Sequence, residues 1–257
     1  MIEKIIEIAR TAGDLLKKYF GNLKDVRTKA MASDVFSEAD LESQKLITKA
    51  LMETFPDARV VGEENYKGED YNSGKVFLVD PLDGSLNYIH YFPFYSVSIA
   101  YLEDGKVLSG VVHLPEYGET FYAEKGKGAF LNGEKIFSNK DIALKESMII
   151  TGWPYSMEGI KWTYKAIEAV NEKVHEIRIL GSCAAELSYV AVGRLDGYFE
   201  IGLKPWDLAA GYLIATEAGL KVSSITAEGF DMDLGEVVAA PESFHKELVG
   251  ILRSVSK

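Results

Sequence analysis

The chain has 257 residues, 47% of them hydrophobic, which is enough to bury a substantial core as one large domain or two closely packed smaller ones. Its formal charge of −11 and isoelectric point near 5.0 argue against a broad phosphate-neutralising surface, so the composition disfavours nucleic acid as a partner. The single cysteine, Cys183, cannot form an internal disulfide, and the first 20 residues lack the continuous apolar stretch of a signal peptide or membrane span. These features predict a cytoplasmic protein.

The first half of the chain predicts two helices followed by a sheet. Apolar residues recur at three- and four-residue steps from Ile2 to Tyr19, and a second helix is predicted from about Ser37 to Phe55. Residues 76–79 are apolar and partly β-branched, which is typical of a buried strand, and residues 94–131 read as several strands of a meander separated by turn signals.

The second half has a different pattern. Beyond a polar stretch at residues 138–141, strand-like and helix-like segments alternate up to residue 255, which predicts a smaller α/β unit. The sequence therefore divides into an α+β domain of residues 1–140, with a large antiparallel sheet, and an α/β domain of residues 141–257. No flexible linker is visible between them, so we expect the two to pack as one rigid body.

The segment 79–85, Val-Asp-Pro-Leu-Asp-Gly-Ser, carries the strongest chemical signal. The predicted strand delivers Asp80 to its carboxyl end, and Asp83 follows three residues later across a turn that contains Pro81 and Gly84. Two carboxylates that face one cavity repel each other unless cations lie between them. If a helix begins near Ser85, the backbone amides at its start offer a site for a phosphate group. The alternative is an Asp-Pro turn followed by an Asp that caps a helix.

Three further segments carry acidic residues, and each has a structural explanation. Glu63 and Glu64 follow a short β-branched run and could add oxygen ligands, but adjacent acids are also typical of a solvated edge. Asp207, after Lys-Pro-Trp, could be a first-turn acid of a helix or a well-fixed metal ligand. Asp40 could complete a capping box with Ser37.

Taken together, these segments resemble the inositol monophosphatase family over nearly the whole chain. That family has four ordered motifs, and here they read Asp-Val-Phe-Ser-Glu-Ala-Asp at 34–40, Gly-Glu-Glu at 62–64, Asp-Pro-Leu-Asp-Gly-Ser at 80–85 and Pro-Trp-Asp at 205–207. The third motif is highly specific. The resemblance sharpens the expected fold to a layered αβαβα sandwich, with the site at the seam between the two halves.

The resemblance implies a set of metal ligands. Glu63, Asp80 and the backbone carbonyl of Leu82 would hold one Mg²⁺, and Asp80, Asp83 and Asp207 would hold a second. A third, weaker ion could share Glu63, which gives two to three ions per site. Most of these ligands come from residues 1–140, and Asp207 comes from the second domain.

The resemblance also implies catalytic and substrate-binding roles. Ser85 with Asp40 would orient and deprotonate a metal-activated water for in-line attack on phosphorus, and Glu63 is placed with them as a catalytic residue. The family resemblance implies substrate contacts from five positions: Gly84, Ser85, Ser182, Cys183 and Glu200. Cys183 stands where the family usually has Ala, so we interpret it as a small packing residue rather than a catalytic thiolate.

Other residues receive smaller roles. Lys29 stands at the distance before Asp40 where the family often has a lysine, although a solvated loop lysine is the alternative. His90 and His113 are interpreted as structural, because Mg²⁺ prefers oxygen ligands and no histidine pair has zinc spacing.

The leading functional prediction is a Mg²⁺-dependent phosphatase of small phosphorylated polyols, most simply inositol-1-monophosphate. The alternatives are a fructose-1,6-bisphosphatase or dual-specificity enzyme, a nucleotide 3′-phosphatase, which the segment 87–93 disfavours, and a non-catalytic protein that contacts RNA machinery. Such a binding protein should have lost a ligand, and none is missing here. The resemblance further implies lithium sensitivity and a homodimer, for which the many apolar residues between 94 and 131 offer a surface unless the monomer itself covers them.

Overall fold

The structure, a computed structural model, describes residues 1–28, 31–138 and 141–255. The helices are α1 (Ile2–Tyr19), α2 (Glu38–Thr54), α3 (Ser85–Ile89), α4 (Met157–Asn171), α5 (Cys183–Ala191), α6 (Pro205–Glu217) and α7 (Glu242–Val255). The strands are β1 (Val26–Thr28), β2 (Val35–Ser37), β3 (Arg59–Gly62), β4 (Lys75–Asp83), β5 (Ser96–Glu103), β6 (Lys106–Leu114), β7 (Glu119–Glu124), β8 (Gly128–Leu131), β9 (Glu134–Ile136), β10 (Met148–Thr151), β11 (Glu176–Arg178), β12 (Gly197–Ile201), β13 (Lys221–Ser223) and β14 (Glu236–Ala240).

Two sheets organise the molecule. A seven-stranded sheet runs in the order β3 to β9 and is antiparallel except for the parallel pair β3 and β4. A five-stranded sheet has the order β11, β10, β12, β14, β13, with β10 parallel to both of its neighbours. Strands β1 and β2 form a separate antiparallel pair.

Helices fill three layers around these sheets. Strand β4 shows how: Phe77 and Val79 point toward the core with α1 and α2, whereas Val76 and Leu78 point toward the core with α5 and α6. The other face of α5 and α6 packs on the five-stranded sheet, and α4 and α7 cover that sheet's far side. The order of layers is therefore α, β, α, β, α, as the family resemblance implied.

Helix α6 lies between the two sheets, and this position explains why it is apolar around most of its circumference. Gly110 on β6 lets the helix approach, because a Cβ there would lie 2.9 Å from the backbone of Ala210. Close packing of α6 fixes its first turn, which carries Asp207, against the carboxyl end of β4.

Two expectations change in detail. The strand predicted at 76–79 extends to Asp83, with a register shift against β5 between Asp80 and Asp83. Strands β5 to β8 bury apolar residues on both faces inside one chain, so the apolar character of residues 94–131 gives no reason for a dimer.

Two predictions fall on residues that the structure does not describe. The predicted domain boundary at residue 140 is one of them, and the division into two domains stays a prediction. Lys29 also lies outside the described residues.

Candidate active site

Three acidic side chains meet at the carboxyl end of β4. Gly62 of β3 pairs with Val79 of β4, so Glu63, which follows β3, lies beside Asp80. Asp207 reaches the same point from the first turn of α6, where its Oδ2 accepts the Lys204 N–H at 2.8 Å. Glu63, Asp80 and Asp207 each place a carboxylate oxygen within 4.8 Å of the others. The family resemblance predicted this meeting of acidic side chains from both halves of the chain.

Burial and like charges dominate the pKa values of two members of this cluster, Asp80 and Asp207. Burial, and then the neighbouring Glu63, Asp83 and Asp207, raise the pKa of Asp80 well above its ordinary range. Burial and then Glu63 raise the pKa of Asp207 in the same direction. Three close carboxylate oxygens form a hard donor set, so the residues present fit a divalent cation.

Asp83 has a structural task in addition to its predicted metal contact. Its Oδ2 accepts hydrogen bonds from Ser182 Oγ at 2.5 Å, Ser96 Oγ at 3.0 Å and the Ala184 N–H at 2.9 Å, and its Oδ1 accepts the Cys183 N–H at 3.1 Å. Asp83 therefore caps the start of α5 from a different part of the chain. Burial raises the pKa of Asp83, and the hydrogen bonds oppose that shift.

Asp40 divides its two oxygens between a helix cap and the site. Its Oδ2 accepts the Ser37 N–H and Ser37 Oγ, each at 2.7 Å, which completes the predicted capping box of α2. Its Oδ1 accepts from Ser85 Oγ at 2.6 Å, and Ser85 Oγ also lies 2.9 Å from the Leu82 carbonyl oxygen. Burial raises the pKa of Asp40, and the bonds from Ser85 and Ser37 oppose that shift. The cap and the pairing with Ser85 thus coexist.

The turn between β4 and α3 leaves no room for a side chain. Gly84 has φ +97°, and a Cβ there would lie 3.1 Å from the Gly181 carbonyl oxygen and 3.2 Å from that of Phe94. Helix α3 begins at Ser85, the position considered for a helix start in the sequence, and runs for only five residues. Asn87 then holds the neighbouring loop, because its Nδ2 donates to the carbonyl oxygens of Phe94 at 2.7 Å and Leu180 at 2.6 Å.

The predicted substrate residues of the second half line the same region. Tyr198 donates a hydrogen bond to Glu200, and burial raises the pKa of Glu200 to about 7. Gly152 faces that carboxylate, because a Cβ on it would lie 2.3 Å from Glu200 Oε2. Burial raises the pKa of the Cys183 thiol well above its ordinary value, which favours the unreactive thiol form expected of a packing residue. Ser182 Oγ and the Cys183 N–H are already engaged by Asp83.

Glu186 was missed by the sequence reasoning. This fully buried side chain accepts the N–H groups of Leu180 at 2.8 Å and Gly181 at 2.9 Å, and so shapes the loop before α5. Burial and then Glu200 raise its pKa well above the ordinary range. The available signal was a lone acid inside the apolar helix Cys-Ala-Ala-Glu-Leu-Ser-Tyr-Val, since a buried carboxylate needs polar partners.

The two histidines with predicted structural roles do not belong to the acidic cluster of the described residues. His113 Nδ1 lies 3.0 Å from both the Glu119 carbonyl oxygen and Thr120 Oγ1, and burial lowers its pKa to about 4. His90 follows α3 and lies outside the cluster. Across the described residues, no helix is both long and apolar enough to cross a membrane.

Comparison with known proteins gives consistent results. The sequence matches the profile of the inositol monophosphatase family over residues 1–257. It is 35% identical over 252 residues to a Thermotoga maritima protein named fructose-1,6-bisphosphatase/inositol-1-monophosphatase, covering 97% of this chain and 94% of that one. It is also 35% identical over 246 residues to a Neisseria meningitidis protein named putative Nus factor SuhB, with 95% and 94% coverage. The crystal structure of Bartonella henselae extragenic suppressor protein suhB superimposes with a TM-score of 0.90 at 34% identity, covering 98% of this chain and 97% of that one.

Proposed function

The chain belongs to the inositol monophosphatase family and is a phosphoric monoester hydrolase, and on that basis we propose that it hydrolyses inositol-1-monophosphate with Mg²⁺ as its cofactor. The observation that carries this proposal is the junction of the Glu63, Asp80 and Asp207 cluster with the Ser85–Asp40 hydrogen bond. An acidic pocket repels a phosphate monoester unless cations are bound in it. The hard oxygen ligands favour Mg²⁺ over softer metals.

We assign the ion-binding role to Glu63, Asp80, Asp83 and Asp207, with the Leu82 carbonyl as a further ligand and two to three ions in all. Ions bound there would neutralise the phosphate, make a water molecule more acidic and stabilise the charge on the departing alkoxide. The protein's part is to keep these oxygens close together in a buried place, and the layers around β4 and α6 supply that rigidity.

Ser85 and Asp40 move the proton. The Ser85 hydroxyl accepts a proton from the attacking water while it passes its own proton to Asp40 Oδ1, 2.6 Å away. Burial raises the pKa of Asp40 and so makes it a stronger base than an exposed aspartate. Ser37 holds the other oxygen of Asp40 with two hydrogen bonds, which keeps Oδ1 aimed at Ser85.

Glu200 recognises the alcohol part of the substrate. Its carboxylate can accept hydrogen bonds from ring hydroxyls, and the bond from Tyr198 together with contact from Gly152 fixes its orientation. Ser182 and Cys183 remain proposed substrate contacts through atoms that Asp83 does not engage. The backbone at Gly84 and Ser85 is assigned to the phosphate, because no side chain intervenes at Gly84.

A second substrate, fructose 1,6-bisphosphate, is favoured by one specific observation. The Thermotoga maritima relative carries both activities in its name. The residues around the acidic cluster bind the phosphate that the two substrates share, so they do not discriminate between them. A purely regulatory role is suggested by relatives named Nus factor SuhB, but a protein with that role alone has no need for a carboxylate at each of the four positions assigned to ions.

Phosphate release tests the proposal directly. The purified protein is incubated with inositol-1-monophosphate, fructose 1,6-bisphosphate and adenosine 3′,5′-bisphosphate, each with Mg²⁺ and each with excess chelator. We expect rapid release from the first substrate, measurable release from the second, and loss of both with chelator. Full activity in chelator would refute the metal assignment, and release only from the nucleotide would refute the substrate assignment.

We also propose a cytoplasmic homodimer whose activity is inhibited by Li⁺. Two consecutive exposed aromatic side chains, Tyr91 and Phe92, offer an apolar surface for a second copy. Light scattering over a dilution series would give the mass of one chain if the dimer is wrong. A Li⁺ titration at fixed Mg²⁺ tests the inhibition, and an unchanged rate would exclude it.

A further inference from the structure

The backbone that carries Glu63 is held by fewer neighbouring elements than the backbone that carries the other two acids of the cluster. It comes directly after β3, a four-residue strand at the edge of the seven-stranded sheet, whose one neighbour among the described strands is β4. Asp80 lies within β4, which has a partner strand on each side, and Asp207 lies on α6 between the two sheets. Edge strands are held by one ladder only, so the position of Glu63 depends more on the contacts of the next few residues in the chain.

Electrostatic repulsion from the other two acids tends to displace Glu63, whose backbone is held less firmly than theirs. Glu63, Asp80 and Asp207 are like charges within 4.8 Å, and each favours the departure of the others from the cluster. Of the three, Glu63 has the least regular backbone around it, since it begins a single 3-10 turn, Glu63–Asn65. A contact that ties this turn to α6 would therefore preserve the spacing of the ligands.

Tyr66 makes such a contact. Its ring centroid lies 5.0 Å from that of Trp206 at an interplanar angle of 64°, an edge-to-face arrangement. Trp206 immediately precedes Asp207, and its carbonyl oxygen accepts a hydrogen bond from Ser98 Oγ at 3.2 Å. Tyr66 also closes the turn that begins at Glu63, because its N–H donates to the Glu63 carbonyl oxygen at 3.4 Å.

The segment beyond Tyr66 is anchored independently. The Tyr71 hydroxyl donates to Asp233, and the Arg59 guanidinium of β3 donates to the carbonyl oxygens of Asp70 at 2.7 Å and Ser73 at 2.6 Å. These contacts fix the far end of the segment, so a change at Tyr66 removes the link to Trp206 without releasing the whole loop.

We propose that Tyr66 is a positioning residue that sets the distance between Glu63 and Asp207 through its contact with Trp206, and thereby increases the affinity of the site for divalent ions. The inference rests on the proposed metal dependence but not on the identity of the substrate. Tyr66 itself touches neither substrate nor ion in this scheme. Its effect is on the preorganisation of the carboxylates.

The test compares three variants with the native protein by Mn²⁺ binding, followed by electron paramagnetic resonance, and by the Mg²⁺ dependence of phosphate release. Tyr66→Ala removes the ring, Tyr66→Phe keeps it, and Tyr164→Ala removes another partly exposed tyrosine that lies 5.0 Å from a tryptophan. We expect Tyr66→Ala to weaken Mn²⁺ binding by about 3- to 10-fold, the scale of one aromatic pair. Its kcat at saturating Mg²⁺ should stay within about 2-fold, because the contact acts on ion binding and not on the chemical step.

Tyr66→Phe should bind Mn²⁺ as the native protein does, and so should Tyr164→Ala. Native Mn²⁺ affinity in Tyr66→Ala would overturn the inference about Tyr66 and leave the proposed metal site standing. An equal loss of Mn²⁺ affinity in Tyr66→Phe or in the Tyr164→Ala control would do the same. A native protein that binds no Mn²⁺ would instead overturn the proposed metal site, and this inference with it. Tyr66 is 41% exposed, so its replacement leaves the core intact, and circular dichroism of each variant checks that the fold is retained.

Discussion

Replacing Asp40 with Asn separates its two roles, because each role uses a different oxygen. In the capping box of α2, Asp40 uses Oδ2 to accept two bonds from Ser37, the residue at the helix start, and an Asn side chain can offer its carbonyl oxygen there. Asn and Asp are nearly equivalent at helix starts, so the free energy of unfolding should fall by less than ~1 kcal/mol. The stability of the protein is therefore expected to change little.

The catalytic role should be lost in the same variant. With the amide oxygen at Ser37, the amide nitrogen faces Ser85 Oγ where Oδ1 accepted its proton at 2.6 Å. The Ser85 hydroxyl then turns to the Leu82 carbonyl oxygen at 2.9 Å and has no base to receive its proton. Loss of a general base lowers turnover by about 10²- to 10⁴-fold, or roughly 3 to 5 kcal/mol of transition-state stabilisation.

The assay combines turnover with two controls. The kcat of Asp40→Asn is measured at saturating Mg²⁺, thermal unfolding reports the cap, and Mn²⁺ binding reports the carboxylate cluster, which should keep its native affinity. Ser85→Ala should lose a similar factor, and the double variant should be scarcely slower than either single one, because the two groups act as a unit. Ser85→Thr retains the hydroxyl and should stay active. A double variant whose losses multiply, or an Asp40→Asn variant within about threefold of native turnover, would refute the relay.

Three other predictions use the same protein preparation. Asp80→Asn should abolish measurable phosphate release, since this buried carboxylate is the proposed shared ligand of two ions, and turnover near the native rate would contradict that role. Gly84→Ala should lower the free energy of unfolding by roughly 1–3 kcal/mol in a denaturant titration, because φ is +97° and the new methyl group meets the Gly181 carbonyl oxygen at 3.1 Å; native stability would show that the turn relaxes. Glu200 has a pKa raised by burial from about 4.5 to about 7, so the folded state holds its proton longer than the unfolded state, and stability from this group falls as pH rises through that window. Glu200→Gln in metal-free buffer should therefore flatten part of the decline between pH 4.5 and 7, and an unchanged slope would mean that Glu200 titrates normally.

The sequence predicted both the secondary-structure elements and their arrangement in layers, but only the elements followed from periodicity. The helix periods and the meander of residues 94–131 predicted the elements from local pattern, but the order of five layers came from the resemblance to a family. Strand β4 was predicted over residues 76–79 from its apolar run alone. Pro81 normally interrupts a central strand, but the register shift against β5 accommodates it, and the strand extends to Asp83. The surface expected on residues 94–131 for a second copy is buried by α1 and α2 on one side and α5 and α6 on the other.

The candidate site shows the same division between local and tertiary information. The capping box of Ser37 and Asp40 spans three residues and was readable from sequence, whereas the bond from Ser85 to Asp40 joins residues 45 apart and was implied only by the family. The four bonds that Asp83 receives and the two that Glu186 receives depend on where α5 lies, and spacing along the chain does not give this. For the same reason the contact between Tyr66 and Trp206 had no sequence signal.

The four hydrogen bonds to Asp83 have a consequence for judging activity from sequence in proteins built on this plan. Asp83 caps α5, so a homologue that has lost catalytic activity would still need an aspartate at this position in order to fold. The presence of an aspartate at this position is therefore weak evidence that a homologous chain is an enzyme. Glu63 is more informative, since it is only half-buried and lies on an edge, where folding alone places less demand on a carboxylate. A survey that weighs the two positions differently would distinguish working phosphatases from proteins that have kept only their architecture.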